Sequence, residues 1–269
     1  MRGMAIELYH NGMSTCSQKV RLTLAEKGQD FYSHHFNLRA RDQHKPEYLE
    51  LNPNGVVPTI IHNGKIIYES AVIDEYLDDV FPDPALRSKD PFERSLMRRW
   101  VKQLDEGLHA ASATISACIA FRYQFMEGKT SEELQKTLDG YVNPEKRRRM
   151  TENVLEGVES TFFKPAIARI VKMLDDMEAD LRQYPWIAGA SYSLADIALT
   201  PYVTRVVHLK QDWLFDTRPK VAAWFEKICA RPNYQIAMCQ WFIDDFITLM
   251  ASKGEENRPG VKKVIQETV

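Results

Sequence analysis

Residues 51–70 read LNPNGVVPTIIHNGKIIYES, and most of the fold can be argued outward from them. Ile60-Ile61 and Ile66-Ile67 are β-branched pairs that suit two short strands. Between them lies His62-Asn63-Gly64-Lys65. Asn-Gly tolerates the positive φ that a two-residue type I′ turn demands, so the strands are expected to form a hairpin. Pro58 stands just before the first strand, where a missing N–H removes no ladder bond. Glu69-Ser70 opens a run in which Val72, Ile73, Tyr76, Leu77 and Val80 recur at helical spacing. Ser70 is the expected N-cap of that helix, and the unpaired amides behind it form a seat for a carboxylate.

Toward the N-terminus, residues 5–10 read as a strand and 11–17 as a polar loop. A helix is expected over 18–27, burying part of Val20, Leu22, Leu24 and Ala25 and stopping at Gly28. Residues 31–38 alternate weakly and form a second strand. Strand, helix and strand in so short a span imply a parallel βαβ unit. Residues 39–45 are charged and loop-like, and 46–51 fit a short helix. The element order is therefore βαβ-α-ββα, ending near Phe81. Pro82-Asp83-Pro84 breaks the helix and serves as a linker.

Beyond the linker there is almost no strand signal. Pro91 starts a long helix with Leu96, Trp100, Leu104, Leu108, Ala111 and Ile115 in register. Residues 123–163 form a polar insertion with helices over 131–138 and 144–158. Its run Lys146-Arg147-Arg148-Arg149 reads as a solvated helix face rather than a nucleic-acid site. Helical period returns over 165–182. Ser193 and Asp196 are spaced as a capping box, a helix start with no catalytic content. Helices over 219–230 and 234–250 precede a polar tail expected to be loose at its end. The fold class is an α/β domain over 1–82 followed by an all-α domain over 91–269.

The chain has 269 residues and a formal net charge of −2, so no global field draws it to nucleic acid or an anionic membrane. No apolar run is long enough to span a bilayer or serve as a signal peptide. Met1-Arg2-Gly3 ahead of Met4 reads as an upstream start or a cloning remnant. Cys16, Cys118, Cys229 and Cys239 include no C-x-x-C, which argues against a disulfide framework or zinc site and for a cytoplasmic setting. The histidines show no metal-binding spacing, no metal is expected, and no nucleotide-binding motif occurs.

The order N-P-x-G-x-V-P, strand, Asn-Gly, strand, Glu-Ser, helix resembles the glutathione-binding, thioredoxin-like half of the cytosolic glutathione S-transferase superfamily. The resemblance covers residues 5–82 and, through the Tyr184-Pro185-Trp186-Ile187-Ala188-Gly189 connector and the Ser193 cap, 184–240. It implies glutathione as co-substrate and a homodimer. It also implies that Pro58 is cis, so that the Val57 backbone pairs with glutathione like an added strand. Glu69 and Ser70 would take the γ-glutamyl end. Gln43, with His44 and Lys45 beside it, would take the glycine carboxylate. A small hydrophobic electrophile would lie between the domains along the Pro91 helix, near Trp100, Leu104, His109, Ser112, Ile115, Ser116 and Ile119.

In this family the turn after the first strand activates the glutathione thiol, which is nucleophilic only as thiolate. Ser14-Thr15-Cys16-Ser17-Gln18-Lys19-Val20-Arg21 resembles the zeta-class motif S-S-C-S-x-R-V-R, which maps the catalytic serine to Ser14. One bacterial β-etherase branch also aligns its serine with Ser14, another with Ser17. Cys16 would instead form a mixed disulfide, as in the omega and beta classes. The sequence leaves these three open. The long insertion, Asp90-Pro91-Phe92-x-Arg94 and the stretch ESAVIDEYLDDVFPD resemble bacterial β-etherase-type transferases, which use glutathione to displace a phenol from a β-aryl ether. The alternatives are a zeta-type isomerase, thiol–disulfide exchange through Cys16, and a non-catalytic interaction module. An intact Glu69-Ser70 and a hydroxyl-bearing turn count against the last.

Overall fold

A computed structural model describes residues 6–141 and 143–267. The readings made on Met1-Arg2-Gly3-Met4 and Ala5 fall outside the described residues. The chain packs into two compact units. One takes the residues through Val101 with Asp180–Pro201 and Ala223–Ile243; the other takes Lys102–Ala179, Tyr202–Ala222 and the residues from Asp244 onward.

In the first unit the expected order βαβ-α-ββα is present. It runs β1 (Ile6–His10), α1 (Thr15–Glu26), β2 (Phe31–His35), α2 (Pro46–Leu49), β3 (Thr59–His62), β4 (Lys65–Tyr68) and α3 (Ser70–Val80). The sheet order is β2-β1-β3-β4, parallel between β1 and β2 and antiparallel elsewhere. His62 faces Lys65 across the hairpin, and Asn63 and Gly64 take φ of 56° and 73°, as a type I′ turn requires. Ile6, Leu8 and Ile60 from the sheet bury against Val20 and Leu24 of α1 and Ile73 and Leu77 of α3. Each such side chain contributes roughly 1.5–3 kcal/mol by leaving water.

Several boundaries differ from the sequence reading, each for a local reason. Helix α1 begins at Thr15 rather than residue 18, because the Ser14 hydroxyl accepts from the Ser17 amide at 3.3 Å and closes the first turn earlier. Ser14, not Ser17, is its N-cap. Strand β2 ends at His35. The Phe36 amide still donates to the His10 carbonyl (2.8 Å), but Asn37 Oδ1 then takes the amides of Arg39 and Ala40, an Asx turn that leaves the sheet. Helix α3 starts at Ser70 with Glu69 as its N-cap, which corrects the expectation that Ser70 caps it. Its buried face is narrower than the periodicity implied: Val72 and Val80 are exposed, while Asp74 and Asp78 are buried. Asp78 earns its place by accepting from Lys27, Arg87 and the Leu86 amide, which fastens the Pro82–Pro84 break to the unit.

The helix from Pro91 is not continuous. α4 (Pro91–Gln103), α5 (His109–Ser116) and α6 (Arg122–Met126) are separated by π turns over Leu104–Leu108 and Ala117–Phe121. Gly107, at φ 102°, lies inside the first; only glycine enters that region freely. The insertion holds α7 (Ser131–Asp139) and α8 (Pro144–Leu155), capped by Thr130 and Asn143. The basic run is exposed, with Lys146 over the Tyr141 ring and Arg148 over Phe162, as a solvated helix face should be. Next come α9 (Phe163–Gln183), α10 (Leu194–His208) and α11 (Pro219–Cys229).

The helix expected over 234–250 is two helices, α12 (Pro232–Ala237) and α13 (Asp244–Gln266). Between them Cys239–Trp241 make a 3-10 turn whose Trp241 carbonyl lies against Gly12. The tail is helical to Gln266, because Val261 is fully buried and Arg258 donates twice to the Lys210 carbonyl. Gly254 lets α13 pass close to the Leu209 carbonyl. Among the described residues no helix is long and apolar enough to cross a membrane, and no three metal-ligating side chains cluster.

Candidate active site

Strand register brings the sequence motifs to one end of the sheet. Tyr9 of β1 pairs with Thr59 of β3, and Thr59 pairs with Tyr68 of β4. The turn leaving β1 (residues 11–14), the Val57-Pro58 segment entering β3 and the Glu69-Ser70 step leaving β4 therefore stand side by side. β2 runs parallel to β1, so the 36–45 connection that carries Gln43 leaves from the same end. Residues scattered over sixty positions share one end of the sheet because β3 runs antiparallel to β1 and β4 while β2 runs parallel to β1.

The turn from β1 into α1 is held from several sides. Arg21 is buried (1% exposed) and spends its donors on main-chain oxygens: Nη1 on Asn11 (3.1 Å), Nη2 on Gly12 (3.0 Å) and Nε on Ala237 (2.8 Å). Nη1 also lies 3.1 Å from His10 Nδ1. Gln18 Nε2 donates to the Gly12 carbonyl, and the Gly12 amide donates to His35 Nε2. A Cβ on Gly12 would sit 2.2 Å from the Trp241 carbonyl oxygen, so the close approach requires glycine. Burial with the neighbouring Arg21 charge pushes His10 down to about 3 and lowers His35. Both rings are neutral at pH 7.

Ser14 and Ser17 are not equivalent in this setting. Ser14 is half-buried, in extended backbone, with its hydroxyl at the head of α1. Ser17 is fully buried, and its hydroxyl accepts from the Asn11 amide at 3.3 Å. Cys16, one residue before Ser17 in the first turn, is a half-buried cysteine outside any disulfide. No acidic residue occupies the first turn of α1, leaving the positive end of the helix without a competing anion.

The Val57-Pro58 peptide bond is cis. Its bracket was not read from the sequence: Tyr48 Oη donates to the Val56 carbonyl (2.6 Å), and Asn52 Nδ2 reaches the same oxygen (3.0 Å) and the Thr59 hydroxyl (3.1 Å). Asn52 opens the N-P-x-G signature, so the signal was present though its role was not. Gly55, at φ 60°, packs against His44 and the Gln43 carbonyl, which sets the Gln43 turn on the Val57 loop. Gln43 Oε1 is buried with no donor among the described residues. At Glu69 the chain takes φ 70°, and the exposed carboxylate accepts from Asn54 Nδ2 at 3.3 Å, while Ser70 is buried at the helix start. Lys45 is held outside this group by Asp42 (2.8 Å).

Most residues expected along the Pro91 helix are core. Trp100 donates to Asp180 (2.9 Å), Leu104, Ile115 and Ile119 are buried, and Ser116 bonds the Ser112 carbonyl and accepts from Arg205. His109 is exposed and lies 3.1 Å from the Tyr202 hydroxyl. The cysteines other than Cys16 are held as neutral thiols by burial, Cys118 pushed up to about 12.

A thioredoxin-like sheet with a cis proline before its third strand and a hydroxyl-capped first helix, followed by a helical domain, defines the glutathione transferase class. Sequence comparison agrees. The profile "Glutathione S-transferase, N-terminal domain" matches residues 13–80, and "Glutathione S-transferase, C-terminal domain" matches 135–227. The chain belongs to the glutathione S-transferase superfamily. It is 29% identical to Protein LigF of a Sphingobium species over 235 residues, 85% of this chain and 91% of that protein. A glutathione S-transferase of Hyoscyamus muticus is 27% identical over 237 residues, 87% and 98% of the two chains. The crystal structure of the Sphingobium β-etherase LigF superposes with a TM-score of 0.74, covering 87% of this chain and 98% of that one.

Proposed function

We propose that this protein is a cytoplasmic, homodimeric glutathione transferase whose nucleophile is the glutathione thiolate held at Ser14. Residues 1–82 would act as its glutathione-binding domain and 91–269, with the 123–163 insertion, as the helical domain for a hydrophobic electrophile. The head of α1 carries the reading: a half-buried hydroxyl at the N-cap, the positive end of a twelve-residue helix behind it and no acid in the first turn. Holding a thiol two pKa units below its usual value takes roughly 2.7 kcal/mol, within reach of one charge-assisted hydrogen bond and a helix dipole. Ser17 is less suited, because it is fully buried while Ser14 is half-buried. Cys16 fits thiol–disulfide exchange, which is the second reading.

The other contacts fit glutathione part by part. The Val57 backbone beside the cis proline offers main-chain pairing to the cysteinyl unit. The buried, donorless Gln43 Oε1 suits a ligand N–H, and Glu69 with the Ser70 amide suits the charged γ-glutamyl end. Similarity to LigF supports ether cleavage as the reaction. The thiolate attacks the carbon bearing an aryloxy group, the C–S bond forms as the C–O bond breaks, and the phenolate leaves and is protonated from water. Proximity supplies much of the rate.

The test is a glutathione titration followed by thiolate ultraviolet absorbance on wild type and Ser14→Ala, then release of phenol from a β-aryl ether. A thiolate band lost in Ser14→Ala is expected. A band that survives there but fails in Cys16→Ser moves the role to Cys16. No binding at millimolar glutathione overturns the enzyme reading.

A further inference from the structure

Arg21 is a fully buried guanidinium with no carboxylate bound to it among the described residues. Its hydrogen bonds go to the carbonyls of Asn11, Gly12 and Ala237 and to His10, and the Trp241 ring lies 5.3 Å from its Cζ. Carbonyls and a ring face orient a cation without cancelling its charge. The charged groups around it leave that charge uncompensated as well. His10 on β1 and His35 on β2 are neutral at pH 7. The Cys239 thiol beside Trp241 is kept protonated by burial. On α1 itself Glu26 is committed to Arg231 (2.7 Å), and Asp74 of α3 is paired with Thr23 (2.8 Å) and faces Lys19. Burial lowers Arg21 to about 9, so it is still charged at neutral pH. The chain thus keeps a cation under the turn that presents Ser14, where desolvation makes a cation unfavourable and an apolar side chain would pack.

We propose that Arg21 is a positioning residue for thiol activation: it fixes the Asn11–Ser14 turn and holds it at positive potential, so that glutathione bound there ionises. This rests on the glutathione transferase reading of the same turn. Arg21 itself does not touch glutathione. Two of its three bonded carbonyls, Asn11 and Gly12, lie three and two residues before Ser14, and the Ser14 amide also points at the Asn11 carbonyl (3.4 Å). A buried charge acts through low dielectric and is screened little by salt. That separates it from exposed cations such as Lys45.

The experiment measures the thiol pKa of bound glutathione from ultraviolet absorbance in wild type, Arg21→Met and Arg21→Lys. Arg21→Met is expected to raise that pKa by about one unit, a tenfold loss of thiolate at fixed pH, and to move the pH–rate profile with it. The KM for glutathione should change by less than about threefold, since no direct contact is lost. Arg21→Lys keeps the charge and should fall back toward wild type, which a merely structural role would not produce. A thiolate titration in Arg21→Met that overlays wild type overturns the proposal. So does an Arg21→Lys profile displaced as far as that of Arg21→Met. Should neither variant fold, wild type decides: a bound-thiol pKa unchanged between about 0.05 and about 1 M salt supports a buried source, and a rise of a unit assigns the effect to exposed cations and overturns it. Absence of any thiolate band in wild type is a different result, which sinks the transferase reading first.

Discussion

Two serine-capped helix starts in the same unit close their first turns in opposite ways. At α10, Ser193 accepts from the Ala195 amide, and Asp196 turns back to take the Ser193 amide (2.9 Å) and hydroxyl (3.2 Å), the Ile187 amide (3.1 Å) and the Trp224 indole N–H (2.9 Å). The positive helix end is closed by an internal anion, fully buried and saturated with donors. At α1, Ser14 makes one long bond to Ser17, no acid follows, and a buried cation lies beneath. The same cap residue makes a structural clasp where the chain brings its own carboxylate, and leaves the first turn without an internal anion where it does not.

The largest effect should come from breaking the clasp. Asp196→Ala leaves four buried donors without an acceptor and should destabilise the fold by about 3–5 kcal/mol, read from the midpoint of denaturant unfolding. A loss under about 1 kcal/mol would mean that the closed cap is not what holds α10. Opening the other end is expected to cost function more than fold. Ser14→Ala should lower kcat/KM by about 10²–10³ while removing about 1 kcal/mol of stability; a rate within threefold of wild type would make α1 an ordinary helix start.

A third test compares carboxylates. Asp74 on α3 is buried like Asp196 but has a single hydroxyl donor, Thr23, and burial raises it to about 7. Its folded pKa exceeds the model-peptide value of 3.8, so the folded state binds the proton more tightly. Stability from this group therefore falls as pH rises from about 4 to about 7 and is level above. Asp74→Asn should remove that slope, measured as unfolding midpoints across the window, while the opposite slope from His10, between about 3 and 6.5, persists. The smallest effect is expected at Ser17→Ala. Ser17 is fully buried, so activity should stay within about threefold. A hundredfold loss there would transfer the role proposed for Ser14.

How much could be read in advance depended on the range of the interaction involved. The hairpin was legible because Asn63 and Gly64 determine their own φ. The Ser193–Asp196 box was legible for the same local reason, a bond spanning three residues. The start of α1 was misplaced because Ser14 and Ser17 are both good caps, and burial of Ser17 against the Asn11 amide is what separates them. The break in the Pro91 helix had a signal in Gly107 that apolar spacing masked. The helical tail had none, since Arg258 and Gly254 find their partners at Lys210 and Leu209, more than forty residues away.

By itself, then, the sequence determined the element order of the first unit, the hairpin, the Ser193–Asp196 box and, through a motif of local residues, the family. These rest on propensities and bonds that reach a few positions along the chain. Tertiary structure alone decided that Ser17 faces inward while Ser14 stands at the helix head. It alone set Tyr48 and Asn52 as the bracket of the cis proline, and put a buried arginine bonded to main-chain carbonyls under the turn. Those features depend on burial and on partners brought together across the sheet, and burial, which a linear pattern does not specify, sets what a hydroxyl or a charge is free to do.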